Sequence, residues 1–217
     1  VRYDRYGDDF GARFGHLFFD EPFSHYVLAL EYRIRGPQQP GGPSYAKLNS
    51  GVMVHSQAPR TILKDQDWPI SVDAELLEGN QTTMNVCTPG TDIFMNGALV
   101  KAHCTNSSSR RYVEDGAWVS VQVEVLGNAH VRHYIDGQLV LAYERPTIGG
   151  GVATGFGPVH KVDGTPLASG FIGLQAESQP VEFRNIRLLN LSGCMDRTSP
   201  AYRAHFVHRD DTRCPSR

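Results

Sequence analysis

The sequence holds no apolar run near the roughly 18 residues that a membrane-spanning helix needs. No segment spaces its apolar residues to support an amphipathic helix longer than about two turns. Charge is sparse and nearly balanced: 20% of the 217 residues are charged and the net charge is −2. No basic run exceeds Arg110-Arg111, so the footprint of a nucleic-acid-binding protein is missing. Internal repeats and low-complexity tracts are absent too. The opening "VRYDRYGDDF" is polar rather than signal-like, as a mature chain would be. None of the four cysteines falls in a CxxC pair, which argues against a zinc ribbon or a thioredoxin-like redox site.

What is present is punctuation. Twenty-two glycines and 13 prolines separate short segments that alternate apolar and polar residues. "YVLALEYRI" places Tyr26, Leu28, Leu30, Tyr32 and Ile34 on one face. "WVSVQVEVLG" does the same with Val119, Val121, Val123 and Val125, the period-two signature of a half-buried strand. "HVRHYIDGQLVLAYE" and "DIFMNGALV" read as hairpins turning at Asp136-Gly137 and Asn96-Gly97, pairs that favour type I′ turns. "GFIGLQAE" and "PVEFRNIRLLNL" complete the pattern. Many short strands with turn signals between them predict an all-β sandwich or jelly roll of two antiparallel sheets. Residues 1–191 form that domain in this reading, and residues 192–217 form a polar tail stapled to it.

Four cysteines allow three disulfide connectivities. The sequential one, Cys87–Cys104 and Cys194–Cys214, is favoured because each pair closes a loop lacking a core of its own. That pairing places the protein in a secreted or periplasmic, oxidising compartment. Four free thiols in a cytosolic protein are the alternative. Sequons at Asn80, Asn106 and Asn190 are compatible with secretion but common by chance.

Six segments, "LALEYRI", "NSGVMVH", "KDQDWPISVDAELLEG", "NVCTPGT", "HCTNSSS" and "GFIGLQAESQPVEFRNIRLLNL", follow one another at distances that resemble the 3-keto-disaccharide hydrolase family. The match spans about Phe18 to Leu191. It implies a concanavalin-like jelly roll and secreted work on glycosides oxidised at C3 of a sugar ring. Two positions depart from the family pattern: Asp73 stands where Glu is usual, and Glu75 where Gln is usual. These exchanges allow a shifted substrate or a metal site.

The chemistry of a 3-keto sugar asks for a base near neutral pKa, a group facing the enolate, and an acid for the leaving oxygen. Strand parity supplies candidates. In "ISVDAELLE", Ile70, Val72, Ala74 and Leu76 face the core, which turns Asp73 and Glu75 to the other side, about 7 Å apart along the strand. Asn49 and His55 on "NSGVMVH", and Gln175 and Glu177 on "GFIGLQAE", take the same side if these strands share a concave sheet. Asp73, Glu75 and His55 are therefore the catalytic candidates. Asn49, Lys64, Asp67, Trp68, Gln175, Glu177 and Arg184 are the substrate-binding ones, with Lys64 or Arg184 supplying positive charge. Tyr45 and Trp68 could stack on a sugar ring. Glu78, beside a turn glycine, reads as surface. No obligatory cofactor is implied. A divalent metal, if used, would sit on Asp73, Glu75 and His55.

The expected function is cleavage of 3-keto-glycosides by C2 proton abstraction, elimination and hydration, with a carbohydrate partner, no nucleic acid and no membrane span. The alternatives are a β-glucanase-like hydrolase or a metal-assisted lyase on the same fold, and a non-catalytic lectin-like module. "DAELLE" has the spacing of the β-glucanase E-x-D-x-x-E strand with its first two acids exchanged.

Overall fold

The computed structural model describes residues 1–109, 116–150 and 152–215; Arg110 and Arg111 lie outside them. In chain order the strands are β1 (Arg2–Tyr3), β2 (Gly15–Phe18), β3 (His25–Ile34), β4 (Asn49–Ser56), β5 (Val72–Leu77), β6 (Asn85–Cys87), β7 (Thr91–Met95) and β8 (Ala98–Leu99). They continue as β9 (Cys104–Thr105), β10 (Val119–Leu126), β11 (His130–Ile135), β12 (Gln138–Ile148), β13 (Phe171–Ala176), β14 (Val181–Asn190), β15 (Ser192–Gly193) and β16 (His208–Arg209). Among the described residues the only helical pieces are three-residue 3₁₀ turns.

Two antiparallel sheets form the molecule. The larger runs β1-β14-β3-β10-β11-β12-β7-β8, and the smaller runs β2-β13-β4-β5-β6-β9. The inward residues of the alternating strands meet between them. Leu28, Leu30, Val72, Val121, Val123, Ile172 and Leu174 are all buried in one core, which is the sandwich that period-two alternation requires. Both hairpins turn at the expected pairs. Asn96, Gly97, Asp136 and Gly137 all have positive φ, between 49° and 79°, as a type I′ turn demands at both central positions.

Cys87 and Cys104 are bonded, as are Cys194 and Cys214. The first bridge ties β6 to its neighbour β9 at the sheet edge. The second closes the tail, whose β16 returns to pair in parallel with β15. Two disulfides fit an extracellular or periplasmic protein, and no helix is long and apolar enough to cross a membrane.

One expectation is corrected. Glu78 is not a surface acid: it is fully buried, and its carboxylate accepts hydrogen bonds from the backbone N–H of Ile34 (2.6 Å) and of Gly116 (3.0 Å). It joins a loop of the smaller sheet to a strand end of the larger one. The far side of β5 is enclosed as well, with Asp73 only 6% exposed.

Candidate functional site

The outward face of the smaller sheet is built by strict cross-strand register. Gly51 in β4 lies opposite Glu75 of β5 on one side and Gln175 of β13 on the other. Asp73 pairs with Met53 and Cys87, and Glu75 with Asn85. Directly opposed residues point the same way, so Asp73, Glu75, Gln175 and, just past the end of β13, Glu177 stand on one face. Gly51 is what lets them converge. A Cβ built there would lie 2.1 Å from Asp73 Oδ1 and 2.7 Å from Oδ2. The Asp73 carboxyl therefore leans across β4, over a bare backbone, toward β13.

The group is enclosed. Tyr45 and Trp68, 6.2 Å apart between ring centroids and steeply inclined to each other at 60°, border the cleft, and Phe14 backs Trp68 at 5.2 Å. Pro89, the Cys87–Cys104 bridge, His103 and Val152 also line the cleft, which holds about 300 Å³.

Four buried acceptors on this face, Asn49 Oδ1, Asp73 Oδ1, Gln175 Oε1 and Glu177 Oε2, have no hydrogen-bond partner among the described residues. Neutral amides supply the close contacts: Gln175 Nε2 donates to Glu177 Oε1 at 2.7 Å, and Asn85 Nδ2 to Glu75 Oε2 at 3.3 Å. Among the described residues, no Lys or Arg forms an ion pair with any of the three acids.

This environment raises all three carboxyls. Burial, reinforced by the charges of Glu75 and Glu177, holds Asp73 well above the usual carboxylate range. Burial raises Glu75, with the Asn85 amide opposing it. Glu177 is pushed up to about 8 by burial with a contribution from Glu75, against the Trp68 indole and the Gln175 amide. Desolvation and like charge disfavour the ionised form together, so all three carboxyls are held toward the protonated form.

Three other expected residues sit away from the cluster. His55 has φ 50° and lies in a bulge, where Val54 and His55 face the single Ile172 between the pairs Met53–Gly173 and Ser56–Phe171. One extra residue re-aims the side chain. The imidazole is buried against the backbone of Gly127 and Ser169, where desolvation drives its pKa down to about 4. A metal on Asp73, Glu75 and His55 together is therefore not supported by their placement. Arg184 projects from the larger sheet, bonded to Glu31 and stacked 4.0 Å over Trp118. Lys64 is exposed on its loop.

Asp67 lies in the loop beside Trp68, where its carboxylate accepts from the backbone and hydroxyl of Thr154 (2.8 and 2.9 Å). It fastens two rim loops together. Asn49 and Trp68 line the cleft itself.

Two histidines escaped the sequence reading. His103 stands in the cleft wall, with burial lowering its pKa; its place beside Cys104 was the available signal. His16 pairs with Gln175 from the four-residue β2, too short to announce itself, and desolvation lowers it to about 4. Cys87, His103 and Cys104 bring ligand-type atoms within 4.8 Å of one another, but the disulfide occupies both sulfurs.

A family model described as the 3-keto-alpha-glucoside-1,2-lyase-like domain matches residues 6–189. No curated protein matches the chain significantly. A solved structure from Parabacteroides distasonis described as a "Putative glycosyl hydrolase" is similar over 82% of this chain and 84% of its own, at 18% identity and a TM-score of 0.50. The carbohydrate-binding module CBM66 of Bacillus subtilis aligns over 81% of each chain at 10% identity and a TM-score of 0.48. At 18% identity the likeness to the first of these is one of fold alone.

Proposed function

The chain belongs to the 3-keto-alpha-glucoside-1,2-lyase-like domain family, and from that premise we propose that it is a carbohydrate-active enzyme cleaving the glycosidic bond of 3-keto-glycosides at the Asp73–Glu75–Glu177 floor. The observation that carries this reading is the convergence of three raised carboxyls on one enclosed face, with orphaned acceptors and no cation paired to them among the described residues. A purely structural cluster would gain from a cation or from replacement by apolar residues. A proton-transfer site needs carboxyls titrating near the working pH.

A ketone at C3 acidifies the C2 proton. Glu177, titrating near neutrality, removes that proton, and the electron pair passes to the C3 oxygen as an enolate. Asp73, held protonated by its burial, donates a hydrogen bond to that oxygen. The enolate collapses, the C1–O bond breaks, and the aglycone oxygen departs with a proton from a carboxylic acid of the cluster. Water then adds across the C1–C2 double bond, hydroxyl to C1 and proton to C2, so one water is consumed. Trp68 and Tyr45 supply aromatic faces for the sugar ring, and Asn85 orients Glu75.

The carboxylates of Asp73, Glu75 and Glu177, with the amide oxygens of Gln175 and Asn49, also form an all-oxygen set of the kind that hard divalent cations accept. No step above requires a cation, and a chelator arm in the assay tests for one.

The test is incubation with a 3-keto-glucoside in D₂O, followed by chromatography and mass analysis. Released 3-keto-glucose carrying deuterium at C2 supports the reading. Binding without cleavage would make the chain a lectin-like module. Cleavage of unoxidised β-glucan would make it a direct-displacement hydrolase.

A further inference from the structure

The cleft lining is mixed. Asn49, Asp73, Glu75 and Glu177 line it from β4, β5 and the end of β13, whereas Pro89 and the Cys87–Cys104 bridge line it toward the β6–β9 edge and form, with Val152, its apolar wall. His103 is the one polar side chain of that wall among the described lining residues. Val152 is 42% exposed and Tyr45 58%, so both hold apolar surface in water that a bound group could cover.

The wall is also preformed. The bonds from Thr154 to Asp67 tie the loop carrying Val152 to the loop carrying Trp68. Gly155, at φ 71°, packs so tightly under that junction that a Cβ would meet the Asp65 carbonyl oxygen at 2.3 Å. A preformed wall needs little ordering when a ligand arrives.

We propose that this wall is the subsite for the leaving group, and that it takes an apolar arylalkyl or aryl aglycone in preference to a second sugar. The inference rests on the proposed reading for placing the sugar ring on the carboxylate floor. A second pyranose would bring several hydroxyls against a surface with one imidazole to receive them, and a buried hydroxyl without a partner is penalised. An aromatic ring meets proline, disulfide and valine with no polar group to satisfy.

The experiment compares the 3-keto derivatives of 2-phenylethyl glucoside and of a glucosyl disaccharide in the same anomeric form. Both release an alkyl alcohol, so leaving-group acidity does not dominate the comparison. The expected KM is about 10-fold lower for the phenylethyl compound. Val152→Asp, an exposed change that the fold should accept, is expected to raise that KM about 10-fold and to move the disaccharide less than about 2-fold. Equal KM values, a lower value for the disaccharide, or an equal effect of Val152→Asp on both would overturn the subsite. Calorimetry with the unoxidised glycosides separates this from the catalytic reading. If neither 3-keto compound is cleaved, tighter binding of 2-phenylethyl glucoside still supports the subsite, and equal or absent binding overturns it.

Discussion

Replacing Glu177 by glutamine should stabilise the protein while sharply lowering its activity. The folded protein holds the Glu177 proton up to about pH 8, whereas the unfolded chain releases it near the ordinary value of 4.5. Between those values the native state binds more protons than the unfolded one, so stability falls as pH rises. The slope from this group is at most about 1.4 kcal/mol per pH unit. At pH 7, 2.5 units above the ordinary value of 4.5, the accumulated cost is about 3 kcal/mol. Below pH 4.5 both states are protonated and the cost vanishes. Asp73 and Glu75 are raised as well and add slope of the same sign, so the group titrates as a unit.

Glutamine keeps the shape and the acceptor for the Gln175 amide but cannot ionise. Urea denaturation of wild type and Glu177→Gln at pH 5, 6, 7 and 8 measures the difference. The variant should be more stable at pH 7, by up to about 3 kcal/mol, with a flatter pH dependence and near equality toward pH 4.5. Turnover of a 3-keto-glucoside should fall about 10²–10⁴-fold. A variant less stable than wild type at pH 8, or one whose slope is unchanged, would show that Glu177 is not the strained buried acid described here.

Gly51→Ala places a methyl group where the Asp73 carboxyl rests; it should cost about 1–3 kcal/mol and lower activity with Asp73 intact, measured by thermal melting beside turnover. Asp73→Asn should leave the fold in place and reduce turnover about 10²–10⁴-fold; near-normal rates would mark the carboxyl as structural. Changing Cys87 and Cys104 together to serine should cost about 3 kcal/mol in the chain-entropy model and loosen the wall that holds His103, so denaturation and substrate KM should both shift. Changing His55 to glutamine should alter stability more than the kinetics, because its ring lies against Gly127 and Ser169 rather than in the cleft; a turnover loss as large as that of Asp73→Asn would contradict this placement.

Parity made much of the frame legible. Alternation in β3 and β10 fixed which residues face inward, the Asn-Gly and Asp-Gly pairs marked two hairpins, and the cysteines paired sequentially, each bridge closing a loop that lacks a core of its own. The same local rule put Asp73, Glu75, Gln175 and Glu177 on one face, since side-chain direction in a strand depends only on position within it. Enclosure is a different kind of fact. The Tyr45 and Trp68 rim, the Val152 wall and the loop clamp at Asp67 come from segments far apart in sequence, so only the assembled sandwich could bury the carboxyl cluster. His55 shows why parity fails locally. A single bulge residue shifts the count by one, and no composition rule announces it. Glu78 likewise reads as surface until two backbone N–H groups, from the end of β3 and from Gly116, close on its carboxylate. Directions along a strand belong to the sequence, whereas burial belongs to contacts between strands and loops that only the tertiary structure brings together.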